Sequence, residues 1–251
     1  MYGRDLLLHG AKRNTILTLR EVQQYGIDSF SDPDYVRIYG MSPTQWYSRG
    51  IRLLGRTAVE CTPDALGDRI GRDVASVAAL ISPQPELVVI DPFAGSCNTL
   101  YWILRHVPDA SGIGFEFDAQ VYDLSKRNIA GLDLNITLLE GDYEALLDGI
   151  SLQPDCALIV FVAPPWGAAL DEKEGLDLTR TEPPISEIIG TFARRYPARR
   201  MIFVAQVYER ITPGSMTELH TMLQWSHLRV YDLTTPGRNH GVLFGTMGWK
   251  P

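Results

Sequence analysis

Four short stretches carry acids or aromatics where an α/β chain would hold a ligand. In the first, Asp91-Pro92-Phe93-Ala94-Gly95-Ser96-Cys97-Asn98-Thr99, an apolar run ends in an acid, a small-residue turn and a helix start. Small residues let backbone approach a ligand closely, and a helix N-terminus offers free N–H groups. The stretch lacks both G-x-G-x-x-G and G-K-[ST], and Asp91 aims an anion at the same spot, which suits an ammonium better than a pyrophosphate. In the second, Glu116 follows the glycine turn at the spacing, about 20 residues, of an acid that accepts both hydroxyls of a ribose. In the third, Glu140-Gly141-Asp142-Tyr143, Asp142 can accept from an adenine amino group and Tyr143 can cover the ring. The fourth is Ala163-Pro164-Pro165-Trp166. Its prolines cannot donate to a strand ladder, so they end the strand and leave rigid carbonyls to accept from a substrate amine. Trp166 then offers a flat face to a ring, a cation or a delocalised charge. One acid after each of three successive strands suits an adenosyl group that ends in an amino acid; S-adenosylmethionine is such a ligand.

These stretches need elements to hold them. Residues 1 to 83 read as helical and irregular, with breaks at Asp32-Pro33-Asp34 and Ser42-Pro43. Thr62-Pro63-Asp64 reads as a helix start, with Thr62 at the N-cap and Pro63 at N1, and the helix runs to Leu80. Beyond Ser82-Pro83-Gln84-Pro85 strands and helices alternate. Strands are predicted at 87–90, 112–117, 136–139, 157–163 and 201–207, with helices at 100–105, 119–130, 185–195 and 216–223. Residues 227–233 and 241–247 read as a terminal hairpin. The alternation predicts an α/β fold, a doubly wound, mostly parallel seven-stranded sheet with an N-terminal helical extension. Right-handed crossovers would align the strand ends along one edge. Asp118 reads as the N-cap of the helix after the second strand.

The chain of 251 residues carries a formal net charge of −7, with 45% apolar and 21% charged residues. Nucleic-acid proteins usually carry a basic footprint. The one local patch, Arg194, Arg195, Arg199 and Arg200, reads as a solvated helix end. Lysine occurs only at Lys12, Lys126, Lys173 and Lys250, an arginine bias that fits a GC-rich bacterial genome. Cys61, Cys97 and Cys156 are odd in number and form no C-x-x-C, so neither a disulfide framework nor a metal site is expected. No apolar run approaches a membrane span and no signal-peptide pattern opens the chain, so a cytoplasmic location is expected.

The motif set resembles the class I S-adenosylmethionine-dependent methyltransferases, and in particular the trimethylguanosine synthase family of RNA cap guanine-N2 methyltransferases. The resemblance spans Gly50 to about Gly245. Its carriers are "GIRLLGRTAVECTPDALGDRI", "VVIDPFAGSCNT", "GFEFD", "EGDYEAL" and "APPWG". It implies a Rossmann-like methyltransferase fold with a catalytic domain over 84–251 and an extension over 1–83 that contributes to the substrate pocket. It implies S-adenosylmethionine as cofactor, held by Thr62, Pro63, Asp91, Phe93, Ala94, Gly95, Asn98, Thr99, Glu116, Asp142, Tyr143 and Pro164. Two departures stand out: Ala163 replaces the serine before Pro-Pro, and Ala168 to Gly175 is acidic.

A small acceptor is therefore expected, of either of two kinds. A nucleotide or heterocycle nitrogen would be oriented by Pro164, Pro165 and Trp166. A prenyl diphosphate carbon would give a cation steadied by Trp166, with Asp171, Glu172, Glu174 or Asp177 removing a proton. Tyr35, Tyr39, Trp46 and Tyr47 would form a lid, and Arg49 and Arg52 would grip a phosphate. RNA is the alternative acceptor, disfavoured by the acidic charge; an inactive scaffold subunit is a further one. A homo-oligomer is compatible with the sequence, and no membrane partner is expected.

Overall fold

Residues 157–162 are apolar at every position, and such a strand needs cover on both faces. The computed structural model describes residues 2–132, 135–171, 173–233 and 240–251. In it this segment is β4 (Ala157–Val162), buried throughout in the middle of a seven-stranded sheet. β1 (Leu87–Asp91) lies parallel beside it, with Leu87 opposite Ala157 and Ile90 opposite Val160. β2 (Ser111–Glu116) and β3 (Ile136–Glu140) extend one side. β7 (Met201–Tyr208), β8 (Trp225–Tyr231) and β9 (His240–Met247) extend the other, in the order β3-β2-β1-β4-β7-β9-β8. β9 runs antiparallel to both its neighbours, β7 and β8, and β8 and β9 pair as the hairpin expected. A two-stranded ribbon that the sequence did not signal, β5 (Leu170–Asp171) with β6 (Gly175–Leu176), follows β4.

Helices cover both faces. α5 (Asp64–Ala78) and α6 (Asn98–His106) pack Leu66, Ile70, Val74, Leu100 and Ile103 against Val89, Ile159 and Val204. Their approach is close: a Cβ on Gly71 would stand 2.5 Å from the Trp102 carbonyl oxygen. α7 (Ala119–Ile129) flanks β2 and β3, and Asp118 caps it as expected, accepting from the Gln120 and Val121 amides. α8 (Tyr143–Leu146), α9 (Ile185–Arg195) and α10 (Thr217–Met222) serve the opposite face, where Ile188, Ile189 and Phe192 meet Val88, Val160 and Phe203.

The extension is α1 (Arg4–Leu8), α2 (Leu19–Phe30), α3 (Pro43–Ser48) and α4 (Gly55–Glu60). Its own core runs from Leu7 through Val22, Ile38 and Trp46 to Ala58. α5, grouped with the extension by the sequence, packs on the sheet, because its Leu66-Ile70-Val74 stripe shares one apolar core with α6 and the sheet strands. The α5 start also differs. Pro63 takes the N-cap position, and the Thr62 hydroxyl donates instead to Gln206 Oε1 across on β7 at 3.0 Å.

Candidate active site

β1 and β4 are neighbours whose chain continuations go to opposite sides of the sheet, so a crevice opens beyond their C-terminal ends. Asp91 closes β1 at that crevice and is 2% exposed. Its carboxylate accepts from the Phe93 amide at 3.0 Å. Burial pushes its carboxyl up to about 7, the Phe93 N–H opposes the rise, and the nearby Glu116 charge adds to it. Glu116, at the end of β2, is raised by burial as well. Its two oxygens accept from the Gly95 amide at 2.9 Å and the Asp118 amide at 2.8 Å. The acid thus grips the turn after β1 and stands beside Asp91. The turn itself is fixed from several sides. Gly95 adopts φ +51°, Ser125 Oγ donates to its carbonyl at 2.6 Å, and the Ala94 amide donates to Phe115. Among the described residues no basic side chain is bonded to either carboxyl, so a charge on them has no protein counter-ion in contact.

Beyond β4, Pro164 is buried, Pro165 exposed and Trp166 half-buried. Trp166 stands edge-on to Tyr208, ring centroids 6.4 Å apart. Both line a cavity of about 330 Å³ between the sheet edge and the extension. Its walls include Tyr35, Thr62 and Pro63, which the sequence reading named. They also include Arg4, Tyr25, Phe30, Arg37, Glu60, Gln206 and His240, which it did not. Tyr35 stacks on Phe30 with planes 7° apart, and Phe30 meets Tyr25 edge to face at 5.8 Å. Gln206 and Tyr208 end β7, next to β4, so the rule that ligands gather at parallel strand ends would have found them. The extension residues carry no such sequence signal.

Several predicted residues lie elsewhere. Trp46 is fully buried in the extension core and its Nε1 donates to the Val36 carbonyl at 2.9 Å, so it is packing. Tyr39 is a strut: its hydroxyl donates to the Ser96 carbonyl and its amide to Asn98 Oδ1. Asn98 spends its amide within the fold, donating to the Thr62 carbonyl at 2.8 Å and Asp64 Oδ1 at 3.0 Å. Asp64 accepts from Trp102 Nε1 and the Gly40 amide too, so it clasps extension to sheet. Thr99 is buried in the first turn of α6. Arg52 lies over the Tyr47 ring at 3.6 Å and donates to the Tyr47 and Ile51 carbonyls; neither these two nor Arg49 line the cavity.

The remaining ligand aromatics and acids also have local partners. Tyr143 is 5% exposed and stacks parallel to Phe192, so it belongs to the core rather than to a ring-covering surface. Asp142 caps α8 through one oxygen, and Phe93 meets Tyr143 edge-on at 5.6 Å. Asp171 and Asp177 close local turns, accepting from Lys173, Glu174 and Thr179 amides, and Glu174 is exposed; none lines the cavity. Glu172 lies outside the described residues. Among the described residues no group of three or more His, Cys, Asp or Glu is placed to hold a metal, and no helix is long and apolar enough to cross a membrane.

No protein-family model and no curated protein matches the chain. Solved structures do. The fold is similar to the N-terminal domain of human METTL16, at 12% identity over 74% of this chain and 70% of that one, TM-score 0.51. It is similar to the same domain in complex with SAH, at 11% identity over 74% and 70%, TM-score 0.50. Precorrin-6y C5,15-methyltransferase from Geobacter metallireducens GS-15 is similar at 19% identity over 73% and 88%, TM-score 0.46. A further METTL16 MTase-domain structure is spanned over 66% of its length, just under two thirds. The chain therefore has the Rossmann-like, seven-stranded fold that these methyltransferases share.

Proposed function

We propose that the chain is an S-adenosylmethionine-dependent methyltransferase. The carrying observation is the pair of carboxyls at adjacent strand ends, Asp91 buried and Glu116 half-buried, with no cation bonded to them among the described residues. S-adenosylmethionine supplies what they lack: an ammonium for Asp91 and a ribose diol for Glu116. When bound, the sulfonium brings an activated methyl group. The protein's task is then to position and align the acceptor. Asp142 has one carboxylate oxygen left for an adenine amino group. The reading assigns Phe93, Ala94, Gly95, Thr99 and Pro164 to the same cofactor, together with Thr62 and Pro63, which line the cavity. Asn98 and Tyr143 act by holding the walls.

The acceptor in this reading is a small molecule in the Trp166 cavity, a nucleotide or heterocycle nitrogen or a prenyl diphosphate carbon. A phosphate on it would meet Arg4 and Arg37, which line the cavity, in place of Arg49 and Arg52. The RNA-cap reading retains its support in the trimethylguanosine-synthase-like motifs. It lacks support from the arginines at 194–200: Arg195 pairs with Asp148 at 2.6 Å, and Arg199 and Arg200 donate to loop carbonyls. Titration with S-adenosylhomocysteine tests the proposal. Micromolar binding that disappears in Asp91→Ala and Glu116→Ala is expected; wild-type affinity in either variant would refute the cofactor assignment.

A further inference from the structure

Glu60 is a carboxylate on the cavity wall, contributed by the extension. It ends α4 and lines the same cavity as Trp166 and Tyr208. Every other acid near the crevice has a fixed hydrogen-bonded place: Asp91 with Phe93, Glu116 with Gly95 and Asp118, Asp64 with Asn98, Trp102 and Gly40. Glu60 accepts no hydrogen bond and joins no ion pair among the described residues. The charged groups around it are Arg4, His9, Arg13 and Arg56, with Arg37 and His240 elsewhere on the cavity wall. These are not bonded to it: Arg56 pairs with Asp118 at 2.6 Å and Arg13 donates to the Leu8 carbonyl. Glu60 is exposed at the cavity rim; the desolvation it has there raises its carboxyl above the ordinary glutamate value, and the arginines oppose that rise. Across the cavity Gln206 accepts from Thr62 through Oε1, which leaves its NH2 as a donor. The wall thus offers the Glu60 carboxylate as an acceptor and Gln206, Arg4 and Arg37 as donors, beside aromatic faces.

Resting on the reading of the site as a methyltransferase's, we propose that Glu60 receives the N–H of the acceptor. The acceptor is then a planar amine or N–H heterocycle and not a hydrocarbon. An alkene offers nothing to a carboxylate, whereas an N–H satisfies it and the flat ring fills the space between Tyr35, Trp166 and Tyr208. In the transfer, S-adenosylmethionine is consumed as the second substrate. The acceptor nitrogen's lone pair forms the new N–C bond to the methyl carbon. The C–S bond breaks with its electron pair retained on sulfur, which becomes a neutral thioether. The nitrogen sheds its extra proton to a Glu60 carboxylate oxygen.

The test uses the full chain and its Glu60→Gln and Glu60→Asp variants, each saturated with S-adenosylhomocysteine. Guanosine 5′-monophosphate, tryptamine and geranyl diphosphate are titrated into each complex. At least one N–H probe is expected to bind the unmodified chain. Glu60→Gln is expected to weaken that binding at least tenfold, Glu60→Asp to recover part of it, and S-adenosylhomocysteine affinity to stay within twofold throughout. With S-adenosylmethionine in place of the product, methylation of that probe should follow a pH profile whose acid limb is absent in Glu60→Gln. Tight binding of geranyl diphosphate alone, binding of no probe, or N–H affinity unchanged in Glu60→Gln would each overturn the role of Glu60 and leave the methyltransferase reading standing. Failure of the unmodified chain to bind S-adenosylhomocysteine would remove both.

Discussion

Asp91 illustrates how much a single buried acid can say. Its folded-state titration point, about 7, stands above the ordinary aspartate value because burial disfavours the charge. The folded protein therefore holds a proton that the unfolded chain releases at lower pH. Stability contributed by this group is fully present below the unfolded value and is lost as pH rises toward 7, on the order of a few kcal/mol. Asp91→Asn keeps the acceptor for the Phe93 amide and removes the charge. It should raise the melting temperature of the unliganded protein at pH 8 and leave it nearly unchanged at pH 5, while weakening S-adenosylhomocysteine binding at least a hundredfold. A lower melting temperature at pH 8 would show that the charge has a stabilising partner. Trp166 contributes differently, because it lines the cavity and packs on Tyr208 rather than holding the cofactor crevice. Trp166→Ala should cut turnover tenfold or more with cofactor-product affinity within about threefold; steady-state kinetics beside calorimetry separates the two.

At the scale of elements, α5 and α6 form a close joint. The Trp102 carbonyl stands where a Gly71 Cβ would go, so Gly71→Ala must push the helices apart and should cost about 1–3 kcal/mol, read as a lower melting midpoint. A midpoint equal to the parent's would mean the helices slide freely. This joint was invisible in the sequence, where Gly67 and Gly71 look like ordinary weak helix positions. The sheet was legible, because a strand buried on both faces, such as 157–162, leaves an unbroken apolar run and Pro164-Pro165 punctuates it. The acids at the ends of β1 and β2 were legible for the same reason: strand-end position follows from the run that precedes it. Tyr143 was misread because one residue decides whether an aromatic after a strand turns outward or, as the first residue of α8, inward onto Phe192. Trp46 and Tyr39 were misread because an aromatic-rich irregular segment looks alike whether it forms a lid or a small core of its own.

Taken whole, the molecule is a mostly parallel sheet packed against a separately cored helical extension, and Asp64 is the pin between them. It accepts from Gly40 on the extension side and from Asn98 and Trp102 on the sheet side. Asp64→Ala strands three donors and should destabilise the fold by about 2–5 kcal/mol. Amide exchange at Gly40 should accelerate more than in the sheet; equal acceleration everywhere would mean that the extension does not dock through this residue. The cavity lies at that junction, so most of its wall comes from segments ahead of β1; sequence reasoning reached Tyr35, Thr62, Pro63 and Trp166 on it and missed Gln206 and Tyr208 at the end of β7. The most direct measurement of the whole account is calorimetric titration of the unmodified protein with S-adenosylhomocysteine at pH 5.5 and pH 7.0. A bound ammonium requires Asp91 ionised, so affinity should be about tenfold higher at pH 7.0, with proton release on binding at the lower pH. No binding at either pH, or binding equally tight at both, would contradict the assignment of Asp91 to a cationic adenosyl ligand.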